Sequence, residues 1–217
     1  MTTSVPVNRR IAFVLLFSGA LGALSSTAAA GTSGGKNELP LPREGYACCN
    51  LHYEGDWISD GNYSGLPMLP AGTPIKVLSL GRHKAYALVG GIKMRLGHDY
   101  GRDQESLEHW ITKIVVDEDP TARIAKYPPD VQAAIKEGRV AIGMTKEQAI
   151  VAVGYPLTSE TSSTDAPVWR HWVSSFEEYQ LMWGPDATLA GVSADAALRY
   201  QVVHQPPGDA APPPVQH

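Results

Sequence analysis

The stretch YACCNLHY, residues 46–53, sets the two cysteines of the chain side by side, with His52 four positions after Cys48. Thiols and imidazole are zinc ligands and redox groups, so the spacing decides what this trio can do. The stretch has strand character, and on a strand side chains alternate faces. Cys48 and His52 then share a face about 13 Å apart, too far to hold one ion. A trans peptide keeps neighbouring Cα atoms about 3.8 Å apart, below the usual disulfide range. The other face, with Ala47, Cys49 and Leu51, is the more apolar. Cys49 is therefore expected in a core, Cys48 at a more accessible place, and the two as unrelated redox candidates without metal. A vicinal or intermolecular disulfide stays open as the alternative in an oxidising compartment.

A second polar concentration lies in GHDYGRDQES (97–106), with His98, Asp99, Tyr100, Arg102 and Asp103. Such a loop before a helix is a candidate acid–base site. Its residues also suit a structural role: Asp103 can cap the following helix, with Glu105 and Ser106 in its first turn, and Arg102 can pair with a carboxylate. No HExxH, Walker loop, paired CxxC or GxGxxG set accompanies them, which lowers the expectation of an enzyme. No catalytic residue and no cofactor is assigned.

Aromatic residues form the third group. In VWRHWV (168–173), Val168, Arg170 and Trp172 face one way and Trp169, His171 and Val173 the other. In EYQLMW (178–183), Tyr179, Leu181 and Trp183 alternate with Gln180 and Met182. Both faces of such a sheet are partly apolar, so one Trp-bearing face is left for the rest of the chain or for a partner. Trp169, Trp172 and Tyr179 are the partner-binding candidates, because aromatic residues dominate interface hot spots.

The elements that position these groups fall into two modules. The first, 44–116, contains strand candidates at 73–80, 84–89 and 92–96, with Gly90-Gly91 as a two-residue hairpin. A helix follows, with Leu107, Trp110, Ile111 and Ile114 as its apolar stripe. The second, 120–203, opens with a helix from PPD to Gly138. The next helix is capped by Thr145 and Gln148 and ends at Gly154 in a left-handed residue, with Pro156 blocking continuation. Its stripe is Ala149, Ile150 and Val153. Three strands follow, so the fold class is α+β: a small β-rich module, then two helices over a three-stranded antiparallel sheet.

The string IGMTKEQAIVAVGYP, followed by VWRHWV and YQLMWGPDATLAGV, resembles the BamE (SmpA/OmlA) family of envelope proteins. The residues that carry the likeness are Gly143, Met144, Thr145, Gly154, Pro156 and Trp169. The resemblance covers about 60 residues and implies two helices packed on a three-stranded sheet. It also implies a non-catalytic envelope domain that binds proteins, in outer-membrane protein assembly or, in related folds, as an inhibitor of secreted enzymes. The segment LPAGTPIKVLSLGRHKAYALVGGIKMRL loosely resembles a bacterial Src-homology-3-like barrel, without its closing Gly-Trp-Val strand.

Export fits this expectation. Arg9 and Arg10 precede the apolar run IAFVLLFSGALGAL, and Ala28 and Ala30 mark a signal-peptidase site, so residues 1–30 read as a cleaved signal peptide. Without those arginines, 16 basic side chains face 22 acidic ones, a net charge of −6. Nucleic acid is therefore a poor partner. No later run is long enough to span a membrane, and no cysteine directly follows the apolar run, so the mature chain is expected to be periplasmic or outer-membrane-associated and not lipidated. Residues 31–43 read as a flexible linker and 204–217 as a Pro-rich disordered tail.

Overall fold

Arg43 opens the first ordered strand in a computed structural model that describes residues 43–99 and 104–206. The leader, nearly all of the linker, Tyr100, Arg102, Asp103 and most of the tail lie outside the described residues. The chain runs β1 (Arg43–Ala47), β2 (Leu51–His52), β3 (Trp57–Ser59), β4 (Met68–Leu69), β5 (Pro74–Leu80), β6 (Lys84–Val89), β7 (Ile92–Gly97), α1 (Leu107–Ile114) and β8 (Val115–Val116). It continues with α2 (Thr121–Ile124), α3 (Pro129–Glu137), α4 (Lys146–Val153), β9 (Val168–Ser174), β10 (Glu177–Trp183), β11 (Leu189–Ser193) and α5 (Ala196–Val202). The class is α+β. The element count exceeds the expected one: the second half carries α2 and α5 beside the two anticipated helices.

The first half holds a six-stranded sheet of order β3-β7-β6-β5-β1-β8. β6 and β7 are joined by Gly90 and Gly91 at φ 58° and 83°, the paired positive φ that a tight hairpin of this hand requires. Leu107, Trp110, Ile111 and Ile114 of α1 are buried against this sheet's core. The cap of α1 is Ser106, whose hydroxyl accepts from the His109 N–H at 3.2 Å, in place of the expected Asp103. A cap must sit in extended backbone immediately before the first helical residue, and Ser106 does.

In the second half β9, β10 and β11 form the antiparallel sheet. Thr145 and Gln148 close the capping box of α4 in both directions, at 2.9 and 3.3 Å. Gly138 ends α3 in the left-handed region. Gly154 ends α4 at φ 83°, ψ −177°, a conformation open to glycine alone rather than the left-handed helical one expected. The stripe of α4 also departs from expectation: Ala149, Val151, Ala152 and Val153 are buried, and Ile150 only in part. The reason is that α4 lies between two cores, with Ile150 packed against both.

Two buried asparagines join the halves. The last four carbonyls of a helix have no partner within it. In α4 these are Ile150, Val151, Ala152 and Val153. The Gly154 N–H takes the first at 2.8 Å, and the Asn50 N–H takes the second at 3.0 Å. The Asn50 amide group donates to Ala152 O at 2.9 Å and to Ile135 O of α3 at 2.6 Å. The Asn62 amide group donates to Val153 O at 2.8 Å and to Asn50 O at 3.1 Å. Their side-chain oxygens accept from Ala71 N and His52 N. A Cβ on Gly154 would collide with the Asn62 side chain.

Candidate functional site

The path of the chain after β1 decides the fate of the cysteines. The strand does not continue through them. It bends at Cys48 and Cys49, where Cys48 N donates to Ile114 O at 2.9 Å. Both thiols are buried, Cys48 at 6 % and Cys49 at 0 % exposure. They are free, and burial first, then the neighbouring Cys49 thiol, pushes the Cys48 thiol well above its usual pKa. The expectation of an accessible Cys48 unrelated to Cys49 is therefore overturned, because the bend removes the alternation on which it rested. A buried thiol held protonated is a poor nucleophile. Ellman's reagent is expected to titrate neither thiol in the folded protein and both after denaturation. Rapid reaction of one thiol before unfolding would contradict this burial.

His98 does meet a carboxylate, but one from β3's end. Its Nδ1 lies 2.6 Å from Oδ2 of the buried Asp60, and Asp60 Oδ1 accepts from the Asp99 N–H at 2.9 Å. Asp99 in turn accepts from Trp57 Nε1 at 3.0 Å. The Asp60 bond raises the His98 pKa despite partial burial. The arrangement ties residues 97–99 to β3 and favours the imidazolium. Beside it, Glu105 bridges Lys113 at 2.6 Å and His109 at 3.4 Å at the edge of a cavity of about 300 Å³. These ion pairs use the charges on each other, which suits holding α1 to the loop before it. Among the described residues no three His, Cys, Asp or Glu side chains gather as a metal site.

The sheet resolves the aromatic candidates. Trp169 is wholly buried, with its ring centroid 4.6 Å from that of Trp183 and its Nε1 donating to Thr164 O. Tyr179 is buried and stacked on His171 with centroids 5.7 Å apart, and burial raises its hydroxyl pKa. Both sit on the face that packs on the helices, so neither can anchor a partner, contrary to expectation. Alternation separates the two faces but does not say which one the helices cover. Trp172 is on the other face. It is half-buried, with Nε1 donating to Glu160 Oε2 at 2.8 Å.

Around Trp172 the outer face carries features that the sequence reading did not select. Val168 and Met182 are direct cross-strand partners and expose 42 % and 40 % of their surface. Gly191 stands opposite Met182 with no side chain to cover it. Arg170 and Glu178 pair at 3.4 Å across the same strands. Phe176 projects from the β9–β10 turn at 96 % exposure. Met182 was legible as the alternate of Tyr179. Phe176 had a weaker signal, a lone aromatic in SSFEE between two strands.

Gly143, Met144 and Thr145 serve this sheet from behind. Gly143 N donates to Leu189 O and Leu189 N to Met144 O, both at 2.8 Å, so the turn before α4 extends the edge of β11. Gly143 has φ 86°, Met144 is buried, and Thr145 bridges Thr188. Gly154 and Pro156 lie buried at the far end of α4. No family model, no curated protein and no solved structure matches this chain. Among the described residues no helix is long and apolar enough to cross a membrane.

Proposed function

We propose that this chain is an exported, non-catalytic protein-binding module of the cell envelope, periplasmic or outer-membrane-associated and not lipidated, acting in outer-membrane protein assembly or envelope maintenance. The observation that carries the reading is the outer face of the three-stranded sheet. Val168 and Met182 are exposed as a pair, Trp172 lies half-buried on the same face, and Phe176 stands free at the hairpin tip. Burying such side chains at about 25 cal/mol per Å² is the main favourable term in protein association. A BamE-like reading of residues 120–203 takes α3, α4 and β9–β11 as the family's two-helix, three-strand unit, with α2 and α5 as additions.

The test is a photo-reactive phenylalanine analogue placed at position 176 or 182 in intact envelopes. A discrete adduct from each, absent when the analogue replaces the exposed Ala197 of α5, is the expected result. Equal labelling from all three positions would count against this face. Phe176 also favours a second reading, inhibition of a secreted or periplasmic enzyme, because one fully exposed aromatic on a tight hairpin has the form that enters a concave active site. On that reading Phe176→Ala weakens inhibition of the target hydrolase by about tenfold or more, the scale of a hot-spot residue.

A further inference from the structure

Nε2 of His52 is buried and has no hydrogen-bond partner among the described residues. The other ring nitrogen, Nδ1, lies 2.9 Å from Leu66 O. A carbonyl oxygen only accepts, so Nδ1 carries the proton and Nε2 presents its lone pair. Burial lowers the pKa of this imidazole, which keeps the ring neutral at pH 7. The backbone is held as well, since His52 N donates to Asn62 Oδ1 at 2.8 Å. Metal-binding histidines are prepared in this way: the second nitrogen donates to a carbonyl, which sets the tautomer and the ring orientation before an ion arrives.

The side chain beside it is a thioether. His52 of β2 and Met68 of β4 are direct partners in the two-stranded sheet. Gly138, the residue that ends α3, packs against both: a Cβ there would lie 2.8 Å from Met68 Sδ and 3.8 Å from His52 Nε2. The two donor atoms therefore converge over one Cα, and glycine puts no side chain between them. His52 is 4 % exposed and Met68 only part-buried, so the flexible thioether forms the way in from solvent. The donor pair also selects the ion. Calcium and magnesium take oxygen ligands, and zinc takes thiolate, imidazole or carboxylate. A thioether is a soft donor that favours Cu(I), and imidazole suits copper too.

We infer that His52 Nε2 and Met68 Sδ form a Cu(I)-binding site at the C-terminal end of α3. It is independent of the sheet face proposed for a protein partner. Cys48 and Cys49 are the competing soft donors, so the test must separate them from this pair. The full chain is titrated with Cu(I), kept reduced by ascorbate, against a chromophoric Cu(I) chelator. The expected result is binding that weakens about tenfold or more in Met68→Leu and in His52→Asn, the scale set by losing part of a metal site. The double variant Cys48→Ala, Cys49→Ala keeps the parent affinity. Leucine conserves the volume of methionine, and the asparagine amide can still donate to Leu66 O, so urea midpoints without copper check that both variants fold. Equal affinity in the parent and Met68→Leu would overturn the assignment, as would no binding by the parent or a loss confined to the cysteine variant. Nitrogen NMR gives a reading that does not depend on any variant. Adding Ag(I), a redox-inert stand-in, is expected to move the His52 Nε2 resonance, and an unmoved resonance in the silver-loaded chain would reject the site.

Discussion

Replacing Asn50 with alanine is expected to lower unfolding free energy by about 2–5 kcal/mol, because it strips partners from three buried backbone groups. Two cost about 1–3 kcal/mol each, and the third, Ile135 O, keeps the Gly138 N–H at 3.1 Å. Those groups are Ile135 O, Ala152 O and Ala71 N. At the urea dependence usual for a small protein, about 2 kcal/mol per molar, the midpoint falls by roughly 2 M. Asn50→Asp sharpens the test. It keeps the acceptor for Ala71 N but turns a donor into a carboxylate facing two carbonyl oxygens, so it should be no better tolerated than alanine. A midpoint within 0.3 M of the parent for either variant, about 0.6 kcal/mol, would mean that Asn50 does not hold the helix ends.

The second large effect is acid sensitivity centred on His171. Its imidazole is buried in the sheet core against Tyr179 and Trp169, and Nε2 has no hydrogen-bond partner among the described residues. Desolvation alone lowers its pKa from 6.5 to about 4. The folded state thus binds fewer protons than the unfolded state between those values, and stability falls as pH drops from about 6.5 towards 4. Two and a half pH units at 1.36 kcal/mol each amount to about 3 kcal/mol lost by pH 4. His52, also depressed by burial, acts in the same direction, whereas His98, raised by Asp60, gives stability at low pH that fades as pH rises through its folded pKa. Comparing the parent with His171→Phe isolates one group: the difference in unfolding free energy between the two should change by about 3 kcal/mol from pH 7 to pH 4. Parallel curves over that range would place the titrating group elsewhere.

Local chemistry explains which parts of the fold were legible. The Gly-Gly hairpin, the Thr145–Gln148 box and the α1 stripe are each determined by residues within a few positions of one another, and each is present. Asn50 and Asn62 left no such trace. Their partners lie up to 102 residues away, and an asparagine between Cys49 and Leu51 reads locally as a surface residue or a turn. The same distance accounts for the cysteines: the bend that buries them follows from docking on Ile114 and α4, not from the sequence around them. For the sheet, alternation separated Trp169 from Trp172, but which side is covered depends on where the helices land.

The borrowed caps on α4 bear on how this chain can be divided or inherited. A cut between β8 and α2 leaves one fragment with bare helix carbonyls and the other with buried amides that have nothing to donate to. Neither fragment is portable, and a gene-shuffling event at that point would yield two chains that fail apart. Supplied together, they carry matching halves of the same set of hydrogen bonds, so co-expression should restore one folded heterodimer where separate expression of either gives none.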